Sequence, residues 1–271
     1  MDKKIAFIGA GSLAESIISG IIKSNVVSKD NIIVTNKSNI SRLEYIQKKY
    51  QVQCRTNKEE MTKEADIIIL AIKPKDAIAS LESIRDYIKE EQLIISVIAG
   101  LSTETIEHAI GIAIPVIRVM PNTSALIGQS ATAFSGGTYV KEEHIQTADL
   151  LFQTVGITKL VDEKDMHTVT AISGSGPAFI YYFVEAMEKA AVESGLDHAT
   201  ASDLITQSVI GAGKMLQQSG DTPAVLRKKI TSQGGTTEAG IAELDRNNFQ
   251  EIIISCIHQA RERSIDIGNG K

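Results

Sequence analysis

The chain has 271 residues, 43% of them hydrophobic and 23% charged, and a formal net charge of −5. That length allows one large or two medium domains with a sizeable core, and the composition is that of an ordinary soluble globular protein. An acidic balance with no long basic run, and no Trp for base stacking, excludes nucleic acid as an expected partner.

Lys3 and Lys4 precede an apolar run, Ile5–Ile8, that Gly9 and Gly11 interrupt at once. The N-terminus therefore reads as a strand and a turn and not as a signal peptide. Gly9-Ala10-Gly11-Ser12-Leu13-Ala14 is a G-x-G-x-x-A motif between that strand, ending at Ile8, and an apolar helical stripe of Leu13, Ile17, Ile18, Ile21 and Ile22. Such a context marks a dinucleotide site. The first glycine makes the tight turn, the second admits the pyrophosphate to the backbone, and Ala14 keeps helix and strand close. A second strand is expected at Ile32–Thr35. It is followed by Asn36-Lys37-Ser38, with Arg42 further on, where an acid would hydrogen-bond a ribose 2′-hydroxyl. An amide, a hydroxyl and two cations suit a 2′-phosphate better, so NADPH is expected over NADH, which stays possible.

Further strands are expected at Ile67–Ile72, Leu93–Ile98 and Val116–Met120, with a helical stripe of Ile78, Leu81, Ile84 and Ile88 after Pro74. Near-continuous Ile, Val and Leu runs belong to a parallel sheet covered on both faces. Strand–helix–strand order implies a doubly wound Rossmann sheet over residues 1–161. Ala71-Ile72-Lys73-Pro74 and Val97-Ile98-Ala99-Gly100 fall at carboxyl ends of strands, where such sheets bind ligands. From 162 to 271 the sequence reads as helices, with stops at Gly195 and around Gly220, Asp221 and Pro223. Thr168–Val184 is free of charge but is interrupted by Ser173-Gly174-Ser175-Gly176-Pro177. It reads as a buried helix, a tight turn and a second buried helix, and not as a membrane span. The apolar and small-residue faces of this α-helical half exceed what a domain of its size covers alone, so a homodimer or larger homo-oligomer is expected.

Thr231-Ser232-Gln233-Gly234-Gly235-Thr236-Thr237 carries two glycines flanked by hydroxyls and opens onto a further helical run. A hydroxyl-rich glycine turn at a helix start can hold a carboxylate; a Thr helix cap after a flexible loop is the alternative. Together with the N-terminal glycine motif, Ala71-Ile72-Lys73-Pro74, Met120-Pro121-Asn122 and Ser173-Gly174-Ser175-Gly176-Pro177, this loop resembles the pyrroline-5-carboxylate reductase family over essentially the whole chain. One departure is Gln233, where the family usually has proline.

The resemblance implies an oxidoreductase that moves hydride from NAD(P)H to the C=N bond of a cyclic imine carboxylate, completing L-proline synthesis in the cytoplasm. It implies that Ala71–Pro74 and Val97–Ala99 line the cofactor, that Asn57 lies near the adenosine, and that Ser175 belongs to a wall beside the nicotinamide. It further implies that Ser232, Gly234, Gly235 and Thr236 hold the ring carboxylate, that Thr237 reaches the ring nitrogen, and that Glu163 lies near bound substrate. An N-cap explains Asn57 equally well, and a solvated helix-start glutamate explains Glu163. Lys214 resembles the helix lysine of β-hydroxyacid dehydrogenases only in part, and a surface lysine accounts for it. A reductase of a related cyclic imine or hydroxyacid, or a dinucleotide-binding regulator without turnover, are the alternative functions.

Other chemistries fail on spacing. The five histidines form no metal-ligand cluster, so no metal is expected. Ser175 lacks the G-x-S-x-G elbow, and Gly213-Lys214 lacks a P-loop's upstream glycine. Cys54 and Cys256 form no C-x-x-C motif, which suits a reducing compartment.

Overall fold

The structure, a computed structural model, describes residues 1–269. Two compact units are present: Met1–Pro177 together with the chain from Gln259 onward, and Ala178–His258. The first unit therefore runs past 161, the end expected for the sheet domain, and takes back the end of the chain.

The first unit is built on eight strands: β1 (Ile5–Ile8), β2 (Ile32–Thr35), β3 (Gln53–Cys54), β4 (Ile67–Leu70), β5 (Leu93–Ser96), β6 (Val116–Met120), β7 (Ser130–Gly136) and β8 (Gly156–Leu160). They form one sheet in the order β3-β2-β1-β4-β5-β6-β7-β8. All neighbours are parallel except β6 and β7, which are antiparallel. Every residue of β1, β2, β4 and β5 is buried, which is why these strands read as unbroken apolar runs. Alternate residues enter opposite layers: Ile5 and Phe7 pack with Ile17, Ile18 and Ile21, while Ala6 and Ile8 pack with Leu81 and Ile84.

Strand order reverses at β1, which has β2 on one side and β4 on the other. Ile8 is in register with both Thr35 and Leu70, so three strands end at one level. A crevice at the carboxyl edge of this switch point is where doubly wound sheets take ligands.

Helices α1 (Ser12–Lys23), α2 (Ile40–Tyr50), α3 (Lys58–Glu64), α4 (Ala77–Glu82), α5 (Thr103–Ile110), α6 (Glu142–Gln153) and α7 (Met166–Val169) complete this unit. Of the α1 stripe, Ile17, Ile18 and Ile21 are wholly buried, with Ala14 beside them, while Leu13 and Ile22 are half-buried and pack against the same core. The stripe after Pro74 needs correction. The segment is broken into a 3₁₀ turn, the short α4 and a second 3₁₀ turn, and Ile78 is exposed while Leu81 and Ile84 are buried.

Helices α8 (Gly176–Glu193), α9 (His198–Gln218), α10 (Pro223–Lys229), α11 (Thr236–Arg246) and α12 (Phe249–Gly268) make up the helical half. The expected turn inside the uncharged segment is absent. The chain instead continues from α7 through a π-helical stretch, Thr170–Gly174, into α8. Nor is α8 buried: Ile180, Tyr181, Tyr182 and Phe183 are all exposed. The missing charges reflect an apolar surface, as expected of a face made for a partner and not for the chain's own core. No helix among the described residues is long and apolar enough to cross a membrane.

Candidate functional site

A cavity of about 1030 Å³ opens at the switch point. It gathers most of the residues expected to hold a cofactor: Ile8 to Leu13 from β1 and the following turn, Asn36, Lys37 and Ser38 after β2, Ala71 to Pro74 after β4, and Val97 after β5. Ile98 is buried and Ala99 half-buried, and neither lines the cavity. Asn57 does not line it either. Its Oδ1 caps α3, accepting from the backbone N–H of Glu59 at 3.0 Å and of Glu60 at 3.4 Å.

The glycines are placed by steric need. Gly9 has φ +113°, and a Cβ there would lie 2.2 Å from the carbonyl oxygen of Ala71. Gly11 is the opposite case: a Cβ on it meets nothing within 4 Å, so the space above it is open. Gly11 also heads α1, whose first-turn N–H groups lack a side-chain cap. An open cradle at an uncapped helix start fits a pyrophosphate.

The rim of the cavity is cationic beyond what the sequence suggested. Lys58 and Lys75 join Lys37 and Lys73. Burial pushes the Lys58 ammonium below its ordinary pKa, and the charge of Lys37 adds to the shift. Lys58 also donates to Ser83 Oγ at 3.1 Å, and Lys37 lies 3.8 Å from Asp76. A half-buried lysine whose charged form is disfavoured in this way favours an anion beside it. The donor set thus fits a phosphorylated dinucleotide. Lys58 was missed by sequence reasoning, although its neighbour Asn57 was singled out.

Arg42, expected as a phosphate cation, is otherwise engaged. Its Nε donates to the Ala10 carbonyl at 2.7 Å, and its Nη2 meets Glu15 Oε2 at 2.5 Å. Glu15 also accepts from Lys49 at 2.9 Å and from the Tyr50 hydroxyl at 2.8 Å. Burial alone would raise the Glu15 pKa, but the bonds from Lys49, Tyr50 and Arg42 outweigh it and hold the value at about 2. Arg42 is thereby a brace between α1, α2 and the glycine turn.

Glu163 is also a brace. It accepts from the Thr103 backbone N–H at 2.8 Å and from the Thr103 hydroxyl, and it pairs with Arg118 at 3.3 Å. Arg118 is 2% exposed; its Nη1 makes the pair with Glu163, and its Nη2 has no hydrogen-bond partner. Removing Glu163 would strand a buried charge, which is reason enough for an acid at this position. Ser175 continues the π-helical stretch, its N–H donating to the Thr170 carbonyl at 2.9 Å.

In the second unit, Gly234 has φ +71° and turns the chain into α11. Gly235 is the N-cap and, having no side chain, caps nothing, so Thr237 lies inside the first turn and is not the cap. The Gly235 N–H bonds the Ser232 carbonyl at 3.0 Å. The Gly234 N–H donates to Glu238 Oε2 at 2.8 Å, so a carboxylate of the chain itself already sits on this turn. Glu238 was not foreseen as part of the loop. Lys214 is exposed on α9.

A parallel sheet with a glycine turn and a phosphate-sized cationic rim at its switch point, followed by a helical half, defines a Rossmann-type dinucleotide-binding oxidoreductase. Residues 4–100 match the family model described as NADP oxidoreductase, coenzyme F420-dependent, and residues 163–267 match pyrroline-5-carboxylate reductase dimerisation. The chain is 52% identical to pyrroline-5-carboxylate reductase 2 of Bacillus subtilis over 98% of its own length and 95% of that protein. It is 35% identical to pyrroline-5-carboxylate reductase of Arabidopsis thaliana, over 97% and 95% of the two chains. Among solved structures, a pyrroline-5-carboxylate reductase from Coxiella burnetii superposes with a TM-score of 0.91 at 32% identity, covering 98% of this chain and 99% of that one. The Plasmodium falciparum pyrroline carboxylate reductase with NADP bound gives 0.89 at 30% identity, with 98% of each chain covered. The chain belongs to the pyrroline-5-carboxylate reductase family and is an oxidoreductase of proline biosynthesis.

Proposed function

We propose that residues 1–161 hold NADPH in preference to NADH, and that residues 162–271 hold 1-pyrroline-5-carboxylate and a partner protomer. When bound, the cofactor supplies the hydride that reduces the C=N carbon. The glycine turn Gly9–Leu13, with Ile8 beneath it, takes the pyrophosphate against the start of α1. Asn36, Lys37, Ser38 and Lys58 take the 2′-phosphate, and Asn57 acts through its cap, which anchors the helix carrying Lys58. Ala71, Ile72, Lys73 and Pro74 take the ribose side, and Val97, Ile98 and Ala99 the nicotinamide side.

On the substrate side, Ser232, Gly234, Gly235 and Thr236 hold the ring carboxylate, which takes the Gly234 N–H over from Glu238. Thr237 places its hydroxyl at the ring nitrogen, where the oxygen accepts from the iminium N–H and so favours the protonated form, which accepts hydride more readily. Ser175 walls the pocket. Glu163 serves by fixing Thr103 and Arg118. The carrying observation is the loop geometry: a positive-φ glycine and a capless first turn in a chain half identical to a named reductase.

Exposed apolar residues on α8 and α12, among them Tyr182 and Ile252, support a homodimer or a larger homo-oligomer. Stable monomers in sedimentation at micromolar concentration would contradict that. Two unpaired cysteines support a cytoplasmic setting. The test of function is NADPH oxidation with the five-membered imine set against a larger cyclic imine and a hydroxyacid panel. Turnover confined to the five-membered ring is expected. Preference for a hydroxyacid, or NADPH binding without turnover of any of them, would overturn the reading.

A further inference from the structure

Ser173–Pro177 carries a backbone deficit written into its sequence. In an α-helix the carbonyl of residue i accepts from the N–H of residue i+4. For Ser173 that residue is Pro177, which has no N–H to give. The chain widens here into the π-helical stretch Thr170–Gly174, a form often found at functional sites.

Asn122 supplies what Pro177 lacks. It lies two residues past the end of β6, is 9% exposed, and its Nδ2 donates to the Ser173 carbonyl at 3.0 Å. The amide can point only one way. Its Oδ1 accepts from the Ser124 backbone N–H at 3.1 Å, so a flip would set oxygen against oxygen and N–H against N–H. The Asn122 backbone N–H donates to Ser130 Oγ at 3.1 Å, and that hydroxyl shares a hydrogen bond with Thr132 Oγ1 at 2.9 Å. The residue is therefore anchored by two hydrogen bonds before it meets Ser173. The same strand end approaches a second time, since a Cβ on Gly174 would lie 2.6 Å from Met120 Cε. Met120-Pro121-Asn122 is thus a clamp on the segment that leads to Ser175.

We propose that Asn122 is a positioning residue for the reduction: its side-chain amide replaces the missing Pro177 N–H as donor to the Ser173 carbonyl and so fixes the turn that presents Ser175. The proposal rests on the assignment of Ser175 to the substrate pocket made above. Asn122 acts through the backbone and does not touch the reacting atoms.

A double-mutant cycle on the full chain tests it. Asn122→Asp keeps the acceptor for Ser124 and removes the donor. Pro177→Ala restores the backbone N–H that makes the donor redundant. Three readouts are taken: NADPH affinity by fluorescence titration, kcat and KM for the imine, and deuterium exchange over residues 170–178. Asn122→Asp is expected to leave NADPH affinity within about twofold and to lower kcat/KM for the imine about tenfold, the size of one lost hydrogen bond. Exchange over 170–178 should rise. In the Pro177→Ala background the same substitution should cost less than about threefold, with exchange close to that of Pro177→Ala alone.

Equal losses in both backgrounds, unchanged exchange, or a fall in NADPH affinity matching the loss of imine turnover would each overturn the proposal. Should Asn122→Asp fail to fold alone, recovery of folding in the double variant supports it and continued misfolding refutes it. Should the unmodified chain leave the imine unreduced, the substrate assignment falls, and the exchange cycle alone then decides whether Asn122 stands in for the proline N–H.

Discussion

Glu15 should make stability depend on acid in a measurable way. The residue is 9% exposed, and its carboxylate receives Arg42, Lys49 and Tyr50 within 2.9 Å. Its pKa stands at about 2 against an ordinary 4.5. A depressed carboxylate pKa contributes stability that is complete above the unfolded value and is lost as pH falls toward the folded one. The shift corresponds to roughly 3 kcal/mol at pH 7, shrinking to about 1.4 kcal/mol at pH 3. Glu15→Gln should therefore cost roughly 3 kcal/mol at pH 7 and less than half of that at pH 3, read from urea unfolding of both proteins at each pH. Arg42 also holds the Ala10 carbonyl at 2.7 Å, so the variant should bind NADPH more weakly as well. A cost below about 1 kcal/mol, or one that does not change between pH 7 and pH 3, would refute the reasoning.

The two glycines of the cofactor turn should fail differently. Gly9→Ala, with its Cβ 2.2 Å from a backbone oxygen, should lower both the melting temperature and NADPH affinity. Gly11→Ala, facing open space, should melt like the parent and lose NADPH affinity alone; calorimetry and titration on each variant would separate the two, and equal melting losses would contradict the cradle. Asn36→Asp places a carboxylate at the cavity wall and should shift preference toward NADH, measured as the ratio of kcat/KM for the two cofactors. Equal or better use of NADH by the unmodified chain would undo the assignment of the lysine rim.

What was legible in the sequence followed from how each segment is buried. Strands β1, β2, β4 and β5 are covered on both faces, so nothing but apolar residues fits them and their runs announce themselves. The edge strand β8, Gly-Ile-Thr-Lys-Leu, is mostly exposed and carries no such run. Its partner β7 is built from small residues and turns antiparallel, which no local pattern dictates. The glycine turn was legible because steric need selects glycine there, as at Gly9. Arg42 was misassigned because its partner Glu15 is 27 residues away, and local charge reading sees a free cation. Lys58 escaped for the converse reason: it reaches the cavity only after α3 folds beside the carboxyl edge. The uncharged stretch around α8 reads as core in the sequence, yet is exposed, because an apolar face made for a partner has the same local pattern as one made for the chain itself.

In the proposed mechanism the glycine loop binds the imine and Thr237 holds its nitrogen. Thr237 lies in the first turn of α11 and is not its N-cap, so capping does not account for it. The direct measurement is kcat/KM for 1-pyrroline-5-carboxylate in the Thr237→Ala and Thr237→Ser variants, with NADPH affinity measured alongside. Loss of one hydrogen bond to a charged partner, roughly 1.5–3 kcal/mol, predicts a fall of about 10- to 150-fold for alanine. The serine variant should keep most of the activity, and NADPH affinity should be unchanged in both. An alanine variant that turns over the imine at close to the parent rate would contradict the account.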